Sequence, residues 1–157
     1  MYRRILVPLD GSKLAECALP YAEELAKCCD TEKVVLVSVT ERRHGYRVLE
    51  DPSQPLGQRL VPQAYGKLEK QAQRYLDRIA KAMEAKGIKV DTEVLLGNPA
   101  DEIVIYAKDP GCDLIVMASH GRSGPSRWAY GSVADKVFRG SPVPVLMVRA
   151  PGCVPDI

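Results

Sequence analysis

The sequence predicts an α/β fold: one doubly wound, five-stranded parallel sheet with helices on both faces. Three observations carry this expectation. Five short apolar runs alternate with segments whose apolar residues recur at helical spacing. The first run, Arg4 to Leu9, is almost continuously apolar, which suits a parallel strand covered on both sides. The joints between runs and helices are built from Asp-Gly-Ser, Gly-Asn-Pro and Ser-His-Gly, residues that turn the chain and cap helices. The order β-α-β-α-β-α-β-α-β then implies right-handed crossovers in one sheet.

The first strand is read from Arg4 to Leu9, with Pro8 near its end, where a missing N–H is tolerated. Asp10-Gly11-Ser12 is the turn, and Ser12 is the expected N-cap. Ala15, Ala18, Leu19, Ala22, Leu25 and Ala26 share one helix face, so a single first helix is expected. Lys33 to Thr40 is the second strand. Arg42 to about Leu60 is polar and rich in Pro and Gly, and is read as a long structureless loop. Tyr65, Leu68, Ala72, Tyr75, Leu76, Ile79 and Met83 mark one face of a long helix that Gly87 ends. Ile88 to Leu96 is the third strand.

Gly97-Asn98-Pro99-Ala100-Asp101-Glu102 starts the next helix: Asn98 caps, Pro99 takes the first position, and two acids sit in the first turn. Asp113 to Ala118 is the fourth strand, followed by a loop of Gly, Ser and Arg. The last helix carries Val133, Ala134, Val137 and Phe138, and Pro144 to Val148 is the fifth strand. One domain over residues 1–150 is expected, with a frayed tail at 151–157.

The bulk numbers narrow the function. The 157 residues are 46% hydrophobic, enough for one core. The net charge is +2, so no bulk attraction to nucleic acid or an anionic membrane is expected. One Trp and one Phe make no stacking platform for single-stranded nucleic acid. The five cysteines (Cys17, Cys28, Cys29, Cys112, Cys153) lack metal-ligand spacing and read as reduced thiols. No secretory signal or membrane-length apolar run is seen, so a cytoplasmic location is expected.

The chemistry concentrates in Ser119 to Ser132. A buried strand runs into a Gly/Ser/Arg loop that ends in Gly131-Ser132 at a helix start. Glycines let the backbone approach an anion, helix N-terminal N–H groups point at it, and Arg122 and Arg127 can neutralise it. Neither Gly-x-x-x-x-Gly-Lys-[Ser/Thr] nor Gly-x-Gly-x-x-Gly occurs here. In doubly wound sheets, ligands bind at the carboxyl ends of strands where the strand order reverses. The ends of strands one and four, Pro8-Leu9-Asp10-Gly11 and Ala118-Ser119-His120-Gly121, are the candidates.

Ile5-Leu6-Val7-Pro8-Leu9-Asp10-Gly11-Ser12, Gly97-Asn98-Pro99-Ala100, Asp113 to Arg122, Gly131-Ser132-Val133-Ala134 and Pro142 to Arg149 occur in one order. By these motifs the chain resembles the universal stress protein family over about Tyr2 to Arg149. Nucleotide-binding members carry Gly-x2-Gly-x9-Gly-[Ser/Thr]. Here the pattern reads Ala118-x2-Gly121-x9-Gly131-Ser132, with alanine in the first place. The resemblance implies sheet order 3-2-1-4-5, a homodimer and a stress-response protein that binds ATP or AMP, with Mg²⁺ accompanying ATP.

The nucleotide-binding residues it implies are Pro8, Leu9, Asp10, Val39, Met117, Ala118, His120, Gly121, Arg122, Ser123, Gly131, Ser132 and Val133. Asp10 would meet the ribose or a phosphate-bound Mg²⁺; its other reading is an Asx turn before a helix. Ser132 either donates to phosphate or caps the helix. His120 has no orienting partner evident in the sequence, so no catalytic residue is assigned. A sensor or regulatory module, a slow Mg-dependent ATP hydrolase, and a nucleotide-free dimeric interaction protein stay open. In the implied sheet order the fifth strand is an edge. Val145-Leu146-Met147-Val148 carries no charge or Pro and is expected to pair two copies about a two-fold axis.

Overall fold

A computed structural model describes residues 2–41, 46–48, 60–62, 65–108, 111–120 and 131–149. Its main sheet consists of β1 (Arg4–Pro8), β2 (Lys33–Thr40), β5 (Val90–Leu96), β6 (Leu114–Ala118) and β7 (Val145–Val148). They lie in the order β5-β2-β1-β6-β7, all parallel, which is the expected 3-2-1-4-5 topology. The helices are α1 (Lys13–Glu16), α2 (Leu19–Cys28), α3 (Tyr65–Glu84), α4 (Pro99–Ala107) and α5 (Ser132–Gly140). Strand order reverses between β1 and β6, so their carboxyl ends flank the switch point.

Period-two alternation divides the core between the two faces. Ile5, Val7, Val34, Leu36, Leu114 and Val116 face one way, against Ala18, Ala22 of α2, and Leu76 and Met83 of α3. Leu6, Val35, Val37, Ile115 and Met117 face the other way, against Ala100, Ile103 and Ala107 of α4 and Ala134 and Val137 of α5. Since both sets are buried, the three central strands read as continuous apolar runs. That is why the sequence reveals them.

Local signals account for the helix ends. Asn98 Oδ1 accepts the N–H of Ala100 at 3.1 Å and of Asp101 at 3.4 Å, the expected cap of α4. Gly87 has φ +83°, with Gly87 N–H on the Glu84 carbonyl at 2.9 Å and Ile88 N–H on Met83 at 3.3 Å. That pair of bonds is a Schellman stop, and a left-handed glycine makes it.

Two expectations are corrected. The first helix is not continuous: it breaks at Cys17 and Ala18 into α1 and α2. Pro20 has no N–H to give the Glu16 carbonyl, so the i→i−4 ladder fails there. Tighter bonds replace it, from Cys17 N–H to Leu14 at 3.3 Å and from Ala18 N–H to Ala15 at 3.3 Å. The region from Arg42 to Leu60 is also not wholly structureless. β3 (Tyr46–Val48) pairs antiparallel with β4 (Leu60–Pro62), matching Tyr46 to Pro62 and Val48 to Leu60. Tyr, Val and Leu at these positions favour strand, a signal hidden by the polar residues around them.

Candidate functional site at the strand-order switch

β1 ends at Pro8. Leu9, 3% exposed, continues its line and donates its N–H to the Val37 carbonyl at 2.8 Å. The chain then turns through half-buried Asp10 and Gly11, whose φ of +84° is the left-handed conformation that glycine supplies without strain. Asp10 Oδ1 accepts the Ser12 N–H at 2.9 Å, and Ser12 Oγ accepts the Ala15 N–H at 3.1 Å. The Asx-turn reading of Asp10 is therefore met. It occupies one oxygen of the carboxylate toward the turn. Val39, partly buried on β2, packs beside the second core face.

Across the switch point, Met117, Ala118, Ser119 and His120 are all buried. Ala118 is the last residue of β6. Among the described residues Asp30 is the one non-glycine with positive φ, so Ala118 holds an ordinary extended backbone that accepts its methyl group. Ser119 N–H donates to the Val148 carbonyl at 2.7 Å, fastening the strand end to β7. Ser119 Oγ and His120 Nδ1 lie 3.1 Å apart. No partner for His120 was evident in the sequence, and Ser119, inside the candidate stretch, was given no role of its own. A small hydroxyl after an apolar run is common at strand ends, so its place in the stretch did not reveal its contact with the His120 ring.

Gly131 returns to this place. Its N–H donates to the Ser119 carbonyl at 2.9 Å, so the two ends of the 120–131 excursion are tied together at the tip of β6. A Cβ on Gly131 would stand 3.3 Å from that carbonyl oxygen and 3.6 Å from His120 Cα. Gly131 itself is the N-cap of α5, with its carbonyl accepting the Asp135 N–H at 2.9 Å. Ser132 is thus the first residue of the helix, not its cap, which removes one of its two readings. Its side chain is on an exposed residue, and the N–H groups of Ser132 and Val133 have no acceptor within the helix.

The candidate site therefore has Pro8, Leu9, Asp10, Met117, Ala118 and His120 at the ends of the two strands flanking the switch, Gly131, Ser132 and Val133 at the start of α5, and Val39 one strand away on β2. Gly121, Arg122 and Ser123, with Arg127, lie outside the described residues. Among the described residues no group of three His, Cys, Asp or Glu side chains could hold a metal ion. No described helix is long and apolar enough to cross a membrane.

One further group faces this corner. The Tyr75 phenol on α3 is pushed well above its ordinary value, first by burial, then by the charge and hydrogen bond of Glu16 and the charge of Asp10; Arg78 opposes the shift. The sequence reading placed Tyr75 only on the apolar face of its helix.

Comparison with known proteins agrees with this architecture. The model of the universal stress protein family matches residues 1–149. Universal stress protein MJ0531 of Methanocaldococcus jannaschii is 34% identical over 96% of this chain and 84% of its own length. The solved structure of MJ0577 from the same organism is 32% identical, covers 97% of this chain and 99% of that one, and superposes with a TM-score of 0.78. Two solved structures share the fold at lower identity. One is the Archaeoglobus fulgidus universal stress protein in complex with dAMP, at 22% identity and TM-score 0.62, covering 93% of this chain and 97% of that one. The other is a universal stress protein in complex with cAMP, at 21% identity and TM-score 0.66, covering 94% and 97%.

Proposed function

The chain belongs to the universal stress protein family, and from that premise we propose that it is a cytoplasmic stress-response protein binding an adenine nucleotide, ATP or AMP, as a sensor or regulatory module. The observation that carries the reading is the tie between Ser119 and Gly131. It sets the start of α5 beside the carboxyl ends of β1 and β6, where a doubly wound sheet takes its ligand. The start of α5, where Ser132 is exposed, then offers the phosphates two N–H donors, the Ser132 hydroxyl and the positive end of a helix. This arrangement suits an anion without a lysine. Gly121, Arg122 and Ser123 belong to the same proposal.

Adenine would lie against Pro8, Leu9 and Val39, over Met117 and Ala118, with the ribose toward Asp10. His120 is buried, so its contribution is its backbone. An ion arriving with ATP would be carried mainly by the phosphates, with Asp10 as the nearby carboxylate. Mg²⁺ is commonly bound this way, through one or two carboxylates and substrate phosphate. Two proteins of this fold hold dAMP and cAMP, adenine mononucleotides of the class proposed.

Calorimetric titration of the wild type and of Ala118→Gly with ATP and AMP, with and without Mg²⁺, tests the reading. Wild type binds, and Ala118→Gly binds equally or more tightly because it restores the family glycine. A wild type that binds neither nucleotide, beside an Ala118→Gly variant that does, would make Ala118 a disabling change and the chain a nucleotide-free interaction protein.

A further inference from the structure

We propose that Tyr75 is a positioning residue for Asp10, acting through Glu16 and the one-turn helix α1; the inference rests on the nucleotide reading above. Four residues are too few to hold a helical turn on their own, so α1 depends on outside contacts. At its front, Ser12 Oγ caps it, and the same Ser12 gives its N–H to Asp10. The Asp10 turn and the start of α1 therefore move as one unit.

At its other end stands Glu16. Its Oε1 accepts the Tyr75 phenol at 3.2 Å and lies 3.6 Å from Arg78 Nη2. Its Oε2 accepts Lys13 Nζ at 2.8 Å. The Lys13 and Arg78 side chains are 83% and 64% exposed, against 18% for Glu16, so both are screened by water. Tyr75 is the inner partner. Its ring is held in turn, with the Arg78 guanidinium 5.5 Å from its centroid.

Tyr75 stands on α3, a 20-residue helix anchored in the core by Leu76, Ile79 and Met83. A rigid element thus reaches across to a short one through the Tyr75 phenol–carboxylate bond, with the water-screened Arg78 ion pair beside it, and the short one carries Asp10. The closeness of Tyr75 to Asp10 is visible in their electrostatics, since the Asp10 charge is one of those raising the phenol. A phenylalanine would fill the same apolar space. What the hydroxyl adds is the hold on Glu16.

The test compares AMP with 2′,3′-dideoxy-AMP, which lacks the ribose hydroxyls, by calorimetry on the full chain. Tyr75→Phe is expected to weaken AMP about three- to tenfold, the loss of one hydrogen bond, and to leave dideoxy-AMP unchanged. In an Asp10→Asn background, which keeps the oxygen that takes the Ser12 N–H, Tyr75→Phe should add nothing. Glu16→Ala should reproduce the Tyr75→Phe pattern, and Glu16→Gln, which still accepts the phenol, should restore AMP affinity. Urea unfolding establishes that each variant is folded. Equal losses for both nucleotides, additive effects with Asp10→Asn, or no loss in Tyr75→Phe would overturn the inference alone. A wild type that binds no nucleotide would overturn it together with the reading it rests on.

Discussion

A Cβ at Gly131 would crowd the Ser119 carbonyl oxygen at 3.3 Å, although its φ of −56° is open to any residue. The glycine is needed for space, and the space is taken by this chain's own backbone as well as by any ligand. Gly131→Val should therefore abolish nucleotide binding and also lower stability by roughly 1–3 kcal/mol, the usual range for overpacking. Urea unfolding measures the second effect; an unchanged midpoint would mean that the tie to Ser119 yields without cost. Ser132→Ala should separate the two roles. It removes a hydroxyl but no cap, so stability should stay within about 0.5 kcal/mol. Nucleotide affinity should fall by roughly 1.5–3 kcal/mol, as for a hydrogen bond to a charged group. Tyr75 adds a pH signature. Its folded pKa is raised, so the stability it contributes is full below about pH 10, the ordinary tyrosine value, and is lost as pH rises above it. Tyr75→Phe should make the alkaline decline shallower, as read by urea unfolding at about pH 8 and about pH 11.

At the scale of elements, what could be read in advance was what repeats or punctuates. The three central strands were legible because burial on both faces makes them continuous apolar runs, and the stops at Asn98 and Gly87 because each uses a residue with one dominant local role. The break between α1 and α2 was concealed by apolar spacing that runs straight through it; only Pro20 signalled it. β3 and β4 were missed because three residues are too few to show alternation. Part of the candidate site was legible too. Asp10 and Gly131-Ser132 stand out as turn and helix-start residues. Glu16 and Tyr75 did not, because they meet only through the fold, as the 59 residues between them illustrate. The cap on α4 gives a direct check. Asn98→Ala removes the acceptor for two first-turn N–H groups and should cost about 1 kcal/mol in urea unfolding. A change near zero would mean that Pro99 and the two acids hold the helix start without it.

On the scale of the molecule, the two edges of the sheet differ in kind. β5 places Asp91 and Glu93 outward, and Lys33 pairs with Asp91, a charged edge that resists pairing. β7 shows Val145, Leu146 and Met147, with Leu146 exposed, and Phe138 of α5 is exposed as well. A homodimer through β7 is the expected use of that edge. Light scattering at micromolar concentration should give twice the 17.3 kDa chain mass, and Leu146→Lys should shift the population to monomer. A monomeric wild type would contradict it. The central claim is that an adenine nucleotide binds where β1, β6 and the start of α5 meet. The most direct measurement is the amide NMR spectrum during titration with AMP. Saturable shifts are expected at Asp10, Ser119, His120, Gly131, Ser132 and Val133, with Arg3, Glu32 and Gly111 at the opposite end of the strands unmoved. Saturable shifts confined to that opposite end, or no shifts at all, would contradict it.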